Sequence, residues 1–146
     1  MQPDPLALDR QVCFALAVAS RTVIGVYRPV LEKLGLTHPQ YLVMLALWER
    51  SPRSARDVSD ALKLEPATLT PLLRRLEASG YITRARSATD VRALSIELTD
   101  AGAALRAQAE TVPGTIVERL GVPMTELERI RDDLSGLIEA AAKVSA

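Results

Sequence analysis

Residues 54–86 read SARDVSDALKLEPATLTPLLRRLEASGYITRAR, and this stretch decides the fold. Ser54 has the character of a helix N-cap, so a short helix is predicted to begin there and to end near Leu62. Pro66 then suits the first turn of a second, longer helix, which should run to Ser79 and stop at Gly80. A short helix, a brief turn and a longer helix are typical of a helix-turn-helix.

A β-hairpin is predicted directly after the second helix. Side chains alternate in character along Tyr81–Arg86 and again along Ala93–Leu98, as they do in half-buried strands. The six residues Ser87–Arg92 form the tip that joins the two strands. We call this hairpin with its tip the wing, because a helix-turn-helix followed by a hairpin indicates a winged helix-turn-helix.

Helices are predicted on both sides of this module. The first runs from Leu6 to Leu34, with Pro29 kinking it or ending its first part, and Gly35 stops it. Thr37 and Gln40 have capping-box spacing and open a helix to Arg50. After Thr99 the chain should be helical to about Glu118, interrupted at Pro113-Gly114, and a final helix should begin near Met124. The expected fold is therefore mainly α with a small β-hairpin wing (α+β), in one domain covering residues 1–146.

Charge is distributed unevenly although the whole chain has 18 basic and 18 acidic side chains. Residues 50–92 contain nine basic and five acidic side chains, whereas residues 93–146 contain five basic and nine acidic ones. A basic middle segment is expected of a protein that binds phosphates. The chain lacks a run of about 18 consecutive apolar residues and a secretory signal, so we expect a cytoplasmic protein with no membrane span.

The second helix of the module and the wing supply the candidate DNA contacts. Side chains suited to phosphate or base edges follow the helix start, namely Thr68, Thr70, Arg74 and Arg75. Thr68 and Thr70 could instead be capping residues, since Pro71 disfavours helical geometry at Thr70. On the wing we expect Arg84, Arg86 and Arg92 to have no structural role and to reach a minor groove, with Asp90 paired to Arg92. A solvated polar loop is the alternative.

Several motifs together resemble the MarR family of winged-helix regulators and, within it, the organic hydroperoxide resistance regulators (OhrR). The stretches concerned are LDRQVCF at 8–14, YRP at 27–29, THPQY at 37–41, LTPLLRRLEASGYITR at 69–84, DVR at 90–92, IELTDAG at 96–102 and VPGT at 112–115. The resemblance implies a homodimer held by dimerisation helices at 6–36 and 100–146, with a winged-helix DNA-binding region at 37–99. It further implies a palindromic double-stranded operator, released when an organic hydroperoxide oxidises a cysteine near the N-terminus.

Cys13, the single cysteine, is the candidate redox sensor. One cysteine forms no intrachain disulfide and lacks companions for a zinc site, so we expect no metal and no cofactor. The family places tyrosines beside the thiol. Tyr27 occupies one matching position, but His38 replaces the second tyrosine and Ala17 replaces a frequent aromatic. His38 could donate a hydrogen bond or, if protonated, a charge to the thiolate, or it could be only an exposed residue at a helix start. Tyr27 follows Cys13 by fourteen residues on one helix, about 21 Å, so the two residues can meet only between subunits.

Other interpretations of these residues stay open, among them a pure interaction module that binds DNA of any sequence weakly. Cys13 could be a small buried apolar residue in the core. The protein could be a MarR-type repressor released by an aromatic or lipophilic ligand, in a pocket lined by Tyr27, His38 and Trp48. It could also be a one-cysteine peroxidase, although a DNA-reading module has no purpose in such an enzyme. We expect a DNA-binding regulator and not an enzyme.

Overall fold

The computed structural model describes residues 3–86 and 93–145. Internal contacts divide the chain into two compact units, residues 1–112 and residues 113–146. The elements in chain order are a 3-10 turn at Leu8–Arg10, α1 Val12–Glu32, α2 His38–Glu49, β1 Arg53–Ser54, α3 Ala55–Leu62, α4 Pro66–Ala78, β2 Ile82–Arg86, β3 Leu94–Leu98, α5 Asp100–Ala109, α6 Val112–Leu120 and α7 Met124–Ser145. The predicted mainly α fold with a small β wing is confirmed.

Helix α1 is shorter than the sequence predicts. It begins at Val12 after the 3-10 turn, rather than at Leu6, and it continues past Pro29 to Glu32. Proline inside a helix costs about 3 kcal/mol, but the turn that follows it is anchored by Val30 and Leu31, which are 5% and 0% exposed. Tertiary burial therefore keeps this last turn helical.

The predicted helix caps of the first unit are confirmed. The Gln40 backbone N–H donates to Thr37 Oγ1 at 3.3 Å, and the Thr37 N–H donates to Gln40 Oε1 at 3.0 Å, which completes a capping box. The Asp57 N–H donates to Ser54 Oγ at 3.0 Å at the start of α3. Gly80, with φ of 85°, follows the end of α4 as expected. Local side-chain chemistry thus sets these boundaries.

The wing belongs to a three-stranded antiparallel sheet with strand order β1-β3-β2. In the predicted hairpin, Ile82 pairs with Leu98 and Arg86 pairs with Leu94. Sequence reasoning missed β1, whose Arg53 pairs with Ile96. The predicted tip, residues 87–92, lies outside the described residues. The sheet and the helix-turn-helix share one core, in which Val58, Leu69, Leu73, Leu76, Ile82 and Ile96 are at most 2% exposed.

The predicted interruption after α5 lies in the wrong place. Helix α5 ends at Ala109 and α6 begins at Val112, so the break is at Glu110-Thr111. Pro113 instead lies in the first turn of α6. A proline is tolerated there because the first N–H groups of a helix have no intrahelical acceptor. Helix α7 begins at Met124, as predicted.

Candidate DNA interface and thiol site

Helix α4 presents the predicted DNA-contacting side chains to solvent. Thr68, Thr70, Arg74 and Arg75 are all exposed. The helix begins at Pro66 and runs through Pro71, so the alternative that Thr70 is a capping residue is wrong. The Thr70 hydroxyl donates to the Pro66 carbonyl at 3.0 Å, which fixes its orientation along the helix. A helix face that exposes hydroxyl and guanidinium groups has the chemistry to bind phosphates and base edges.

Arg84 of the wing has a structural contact that the sequence did not predict. Its Nη2 and Nε lie 2.9 and 3.2 Å from Glu77 Oε1, which ties β2 to α4. The Arg84 side chain is only 23% exposed. The hydrogen bond from Arg84 lowers the pKa of Glu77, so this carboxylate stays ionised at neutral pH. The expectation that Arg84 has no structural role is therefore wrong.

The remaining predicted wing residues divide into two groups. Arg86 is exposed at the last position of β2. Asp90 and Arg92, with the ion pair predicted between them, lie outside the described residues. The structure therefore tests the predictions for the strands of the wing and leaves those for its tip untested.

A groove of about 550 Å³ separates the helix-turn-helix from the wing. Its lining includes Thr70 and Leu73 of α4, Arg84 and Leu94 of the wing, and Arg56 of α3. Arg56 is exposed and was not singled out from the sequence. Acidic side chains of α3 and of the α4 N-cap also line the groove, so its charges are mixed.

Arg50, Arg53 and Asp57 form a second charged network at the start of α3. Arg53 Nε donates to Asp57 Oδ2 at 2.7 Å, and Arg53 Nη1 donates to the Ala46 carbonyl at 2.8 Å. Arg50 also pairs with Asp57. Hydrogen bonds from Arg53 and then Arg50 lower the pKa of Asp57. Because the Arg53 side chain is only 8% exposed, it joins α2 to α3 rather than facing a ligand.

The Cys13 thiol is exposed at the second residue of α1. The alternative that Cys13 is buried in the core of its own chain is therefore wrong. Cys13 and Tyr27 lie on one continuous helix, Val12–Glu32, which places them about 21 Å apart at 1.5 Å per residue. A contact between these two residues within one subunit is excluded by this separation.

Tyr27, His38 and Tyr41 meet at the other end of α1. The Tyr27 and His38 rings pack edge to face, with centroids 5.6 Å apart and planes at 69°. The Tyr27 and Tyr41 rings are tilted by 40°, with centroids 6.3 Å apart. The structure thus brings together Tyr27 and His38 from the predicted sensor. Tyr41 was missed, because only its position in THPQY, one turn after His38, could have indicated it.

Burial changes how these three side chains titrate. It raises the pKa of Tyr27 and lowers the pKa of His38. It also raises the pKa of Tyr41, and the neighbouring Tyr27 raises that pKa further. At neutral pH both phenols keep their protons and the imidazole is mostly neutral. Each of the three can then donate a hydrogen bond without carrying a charge.

A pocket of about 350 Å³ adjoins this cluster. Apolar side chains of Ile24, Leu36 and Pro39 line it together with Arg28 and His38. Trp48, which the sequence placed in such a pocket, instead donates its indole N–H to the Gly102 carbonyl at 2.9 Å. Across the described ranges 3–86 and 93–145, no group of three His, Cys, Asp or Glu side chains could hold a metal ion.

Known proteins resemble this chain over nearly its whole length. The family model described as "Transcriptional regulator SarA/Rot" matches residues 25–108. The organic hydroperoxide resistance transcriptional regulator of Bacillus subtilis is 40% identical over 136 residues, which cover 93% of this chain and 92% of the relative. The chain belongs to the SarA/Rot and MarR-type family of winged-helix transcriptional regulators.

Two further matches support membership in this family. The regulator TtmR of Methylorubrum extorquens is 42% identical over 134 residues, covering 92% of this regulator and 69% of TtmR. The structure of reduced AbfR bound to DNA, a protein of Staphylococcus epidermidis, superposes with a TM-score of 0.83 at 34% identity and covers both chains fully. The resemblance inferred from the sequence motifs is thereby confirmed.

The helices at both ends of this MarR-type regulator expose apolar side chains. On α1, Val12 and Phe14 are 64% and 39% exposed. On α7, in the second unit, Ile130 and Ile138 are 46% and 49% exposed. Helix α1 is also long and apolar enough to cross a membrane by length and composition alone. Exposed apolar surface on two helices of a transcriptional regulator indicates a protein interface.

Proposed function

We propose that this regulator is a homodimeric repressor that binds a palindromic operator and releases it when an organic hydroperoxide oxidises Cys13. One observation carries the proposal. The exposed thiol and the Tyr27–His38 pair lie at opposite ends of α1, so they form a single site only where the α1 helices of two subunits pair antiparallel. The likeness to the Bacillus subtilis organic hydroperoxide regulator supports the same oxidant.

The apolar faces of α1 and α7 support the dimer. Side chains such as Val12, Phe14 and Ile138 lose contact with water when a second copy covers them. Full burial of an exposed side chain of this kind contributes about 1.5–3 kcal/mol, and each of these contributes the fraction of that value that corresponds to its exposed part. This association also explains the apolar length of α1 without a membrane. In this proposal residues 1–146 act as one MarR-like domain in the cytoplasm, with dimerisation helices at 6–36 and 100–146 around a winged-helix region at 37–99.

The partner subunit supplies the hydrogen-bond donors for the thiol. Tyr27 keeps its phenol proton because burial raises its pKa, so it can donate to a Cys13 thiolate. His38 donates an N–H as a neutral imidazole, since burial lowers its pKa. Donors that stabilise the thiolate increase the reactive fraction of the cysteine, because the thiolate is the nucleophile.

The oxidation itself is a two-electron step. The Cys13 thiolate attacks the terminal oxygen of the hydroperoxide, the S–O bond forms, the O–O bond breaks, and the alkoxide takes a proton and leaves as an alcohol. Cys13 is then a sulfenic acid. A small cellular thiol can displace its hydroxyl as water, giving a mixed disulfide. The added group does not fit between packed α1 helices, so the two DNA-binding regions change their separation.

Release of DNA follows from the spacing of the operator. A dimeric helix-turn-helix protein binds half-sites about 34 Å apart, so a modest reorientation removes one recognition helix from its groove. In the bound state α4 enters the major groove with Thr68, Thr70, Arg74 and Arg75. We propose that Arg86 and Arg92 of the wing contact the minor groove, with Asp90 as the expected partner of Arg92. Arg84 supports β2 through Glu77.

A DNA titration tests the sensing. The probe is the DNA upstream of the regulator's own gene, and binding is measured with and without stoichiometric cumene hydroperoxide. The wild-type protein should lose the probe on oxidation, whereas Cys13→Ser should bind equally with and without oxidant. Release of DNA from the Cys13→Ser protein by cumene hydroperoxide would contradict the proposal.

A second titration tests the DNA interface. Arg74→Ala should weaken binding by roughly tenfold and reduce the salt dependence by about one released ion. The matched control Arg106→Ala removes the same charge from α5, where Arg106 pairs with Glu110, and should bind like the wild type. Equal losses in the two variants would show that overall charge, and not α4, determines affinity.

The pocket beside His38 favours one alternative, a repressor released by a small aromatic or lipophilic ligand. Its volume of about 350 Å³ lies at the lower end of the range for ligand sites. In that case a phenolic ligand releases DNA from the wild type and from Cys13→Ser alike, and peroxide has no effect. A one-cysteine peroxidase instead consumes hydroperoxide repeatedly with reductant and binds no operator.

A further inference from the structure

The first turn of α2 is fixed more firmly than an ordinary helix start. Its capping box satisfies two backbone groups, and Gln40 within it is only 8% exposed. His38 and Tyr41 are three residues apart on this turn, which places them on the same side of the helix. Both contact the Tyr27 ring. The start of α2 therefore places two rings against Tyr27 of α1.

Tyr27 is held between these two neighbours. His38 approaches edge to face at 5.6 Å, and Tyr41 packs at 6.3 Å with a tilt of 40°. Offset and edge-to-face ring pairs each contribute about 0.5–1.5 kcal/mol beyond the burial of their area. Tyr41 is only 6% exposed, so it cannot move away from Tyr27 without opening the core. Tyr27 itself is half-buried, with part of its side chain at the surface.

We propose that Tyr41 is a positioning residue. It holds the Tyr27 ring so that the Tyr27 hydroxyl points at the thiol of the partner subunit. This inference rests on the proposed function, because it assigns Tyr27 the role of thiolate donor. Tyr41 acts through its ring and not by contact with the hydroperoxide. A donor held in one orientation loses less conformational freedom when it binds the thiolate, so the hydrogen bond is stronger.

The protonation of the cluster agrees with this role. Burial raises the pKa of Tyr41, and Tyr27 raises it further. Tyr41 therefore keeps its proton at neutral pH and adds no negative charge beside the thiol. Among the groups around Tyr27, His38 is mostly neutral and Arg28 and Glu32 line the adjoining pocket with opposite charges.

A set of variants of the full-length reduced protein tests the proposal by the second-order rate of Cys13 oxidation with cumene hydroperoxide. Tyr27→Phe should lower the rate about tenfold, as expected for the loss of one hydrogen bond to a charged group. Tyr41→Leu removes the positioning ring and should lower it about three- to tenfold. Tyr41→Phe keeps the ring and should stay within about twofold of the wild type. Tyr81→Phe is the matched control at the remaining tyrosine and should have no effect.

The double variant Tyr27→Phe/Tyr41→Leu separates positioning from a general loss of structure. If Tyr41 acts through Tyr27, the double variant reacts at the rate of Tyr27→Phe alone, and its pH–rate profile has the same shape. If the rate losses of the two single variants multiply in the double variant, the proposal is overturned. A wild-type rate in Tyr41→Leu overturns it as well. A wild-type rate in Tyr27→Phe overturns both the role of Tyr27 and that of Tyr41.

A measurement on Tyr27 itself does not depend on peroxide chemistry. The flip rate of the Tyr27 ring, followed by NMR of selectively labelled tyrosine, should rise in Tyr41→Leu and remain unchanged in Tyr41→Phe. Tyr41→Met fills a similar volume without a ring and replaces Tyr41→Leu if that variant does not fold. An unchanged flip rate in Tyr41→Leu overturns the positioning role of Tyr41, even if Cys13 does not react with hydroperoxide. If the oxidised wild-type protein keeps its DNA, that result contradicts only the sensing function.

Discussion

Gly102 is the position where one added methyl group should have the largest effect on this protein. A Cβ at residue 102 would lie 2.1 Å from the Tyr81 carbonyl oxygen and 3.0 Å from the Tyr81 carbonyl carbon. Carbon and carbonyl oxygen normally approach no closer than about 3.3 Å, so α5 and the start of the wing must separate by roughly 1 Å. The obstacle is backbone, which has no alternative rotamer.

The cost of Gly102→Ala can be worked out from the contacts around it. Overpacking of this kind costs up to about 3 kcal/mol. The separation also strains the hydrogen bond from Trp48 Nε1 to the Gly102 carbonyl and the bond from the Gly102 N–H to the Thr99 cap, each contributing about 1 kcal/mol. The higher helix propensity of alanine compared with glycine offsets up to about 1 kcal/mol of this loss of stability. The expected net loss is about 2–4 kcal/mol.

Thermal and urea unfolding at fixed protein concentration measure this loss. For a chain of this size, 2–4 kcal/mol should lower the melting temperature by about 5–15 °C. Gly114→Ala is the matched control, because a Cβ there meets nothing within 4 Å, and it should unfold like the wild type or slightly later. If Gly102→Ala unfolds within about 0.5 kcal/mol of the wild type, the argument from the Tyr81 contact is wrong.

Three further predictions concern individual side chains. Thr37→Ala should cost about 1 kcal/mol in urea unfolding because it removes the α2 cap, and Thr37→Ser should recover most of that loss. Acidification should destabilise the protein as the pH falls through the lowered pKa of Asp57, since the ionised carboxylate is favoured in the folded state. Asp57→Asn should be less stable than the wild type near neutral pH and should lose less stability on acidification. An unchanged acid dependence in this variant would contradict the prediction. Glu77→Gln should change stability little in urea unfolding, because its ion pair with Arg84 is partly exposed. It should weaken operator binding if Arg84 orients the wing, and unchanged affinity in fluorescence anisotropy would limit Arg84 to a local role.

Much of the fold could be predicted because its signals are local. The caps at Thr37 and Ser54 and the stop at Gly80 depend on residues no more than a turn away, and each is where the sequence indicates. Strand β1 could not be predicted, because two residues are too few to show alternation and Arg53 is extended only because β3 offers it an edge. The break at Glu110-Thr111 was misplaced since proline is a weaker signal in a first turn than inside a helix.

The sequence by itself determined the order of the main helices and of the two hairpin strands, the winged helix-turn-helix, the family and the residue types of the proposed sensor. These depend on periodicity, capping and short motifs, which act over one or two turns of chain. Only the tertiary structure decided that Cys13 is exposed, that Arg84 is held by Glu77, and that Tyr41 joins Tyr27 and His38. Each of these facts depends on how side chains of different elements pack against one another. The packing of the whole core determines those contacts, and the neighbours of a residue in the sequence do not.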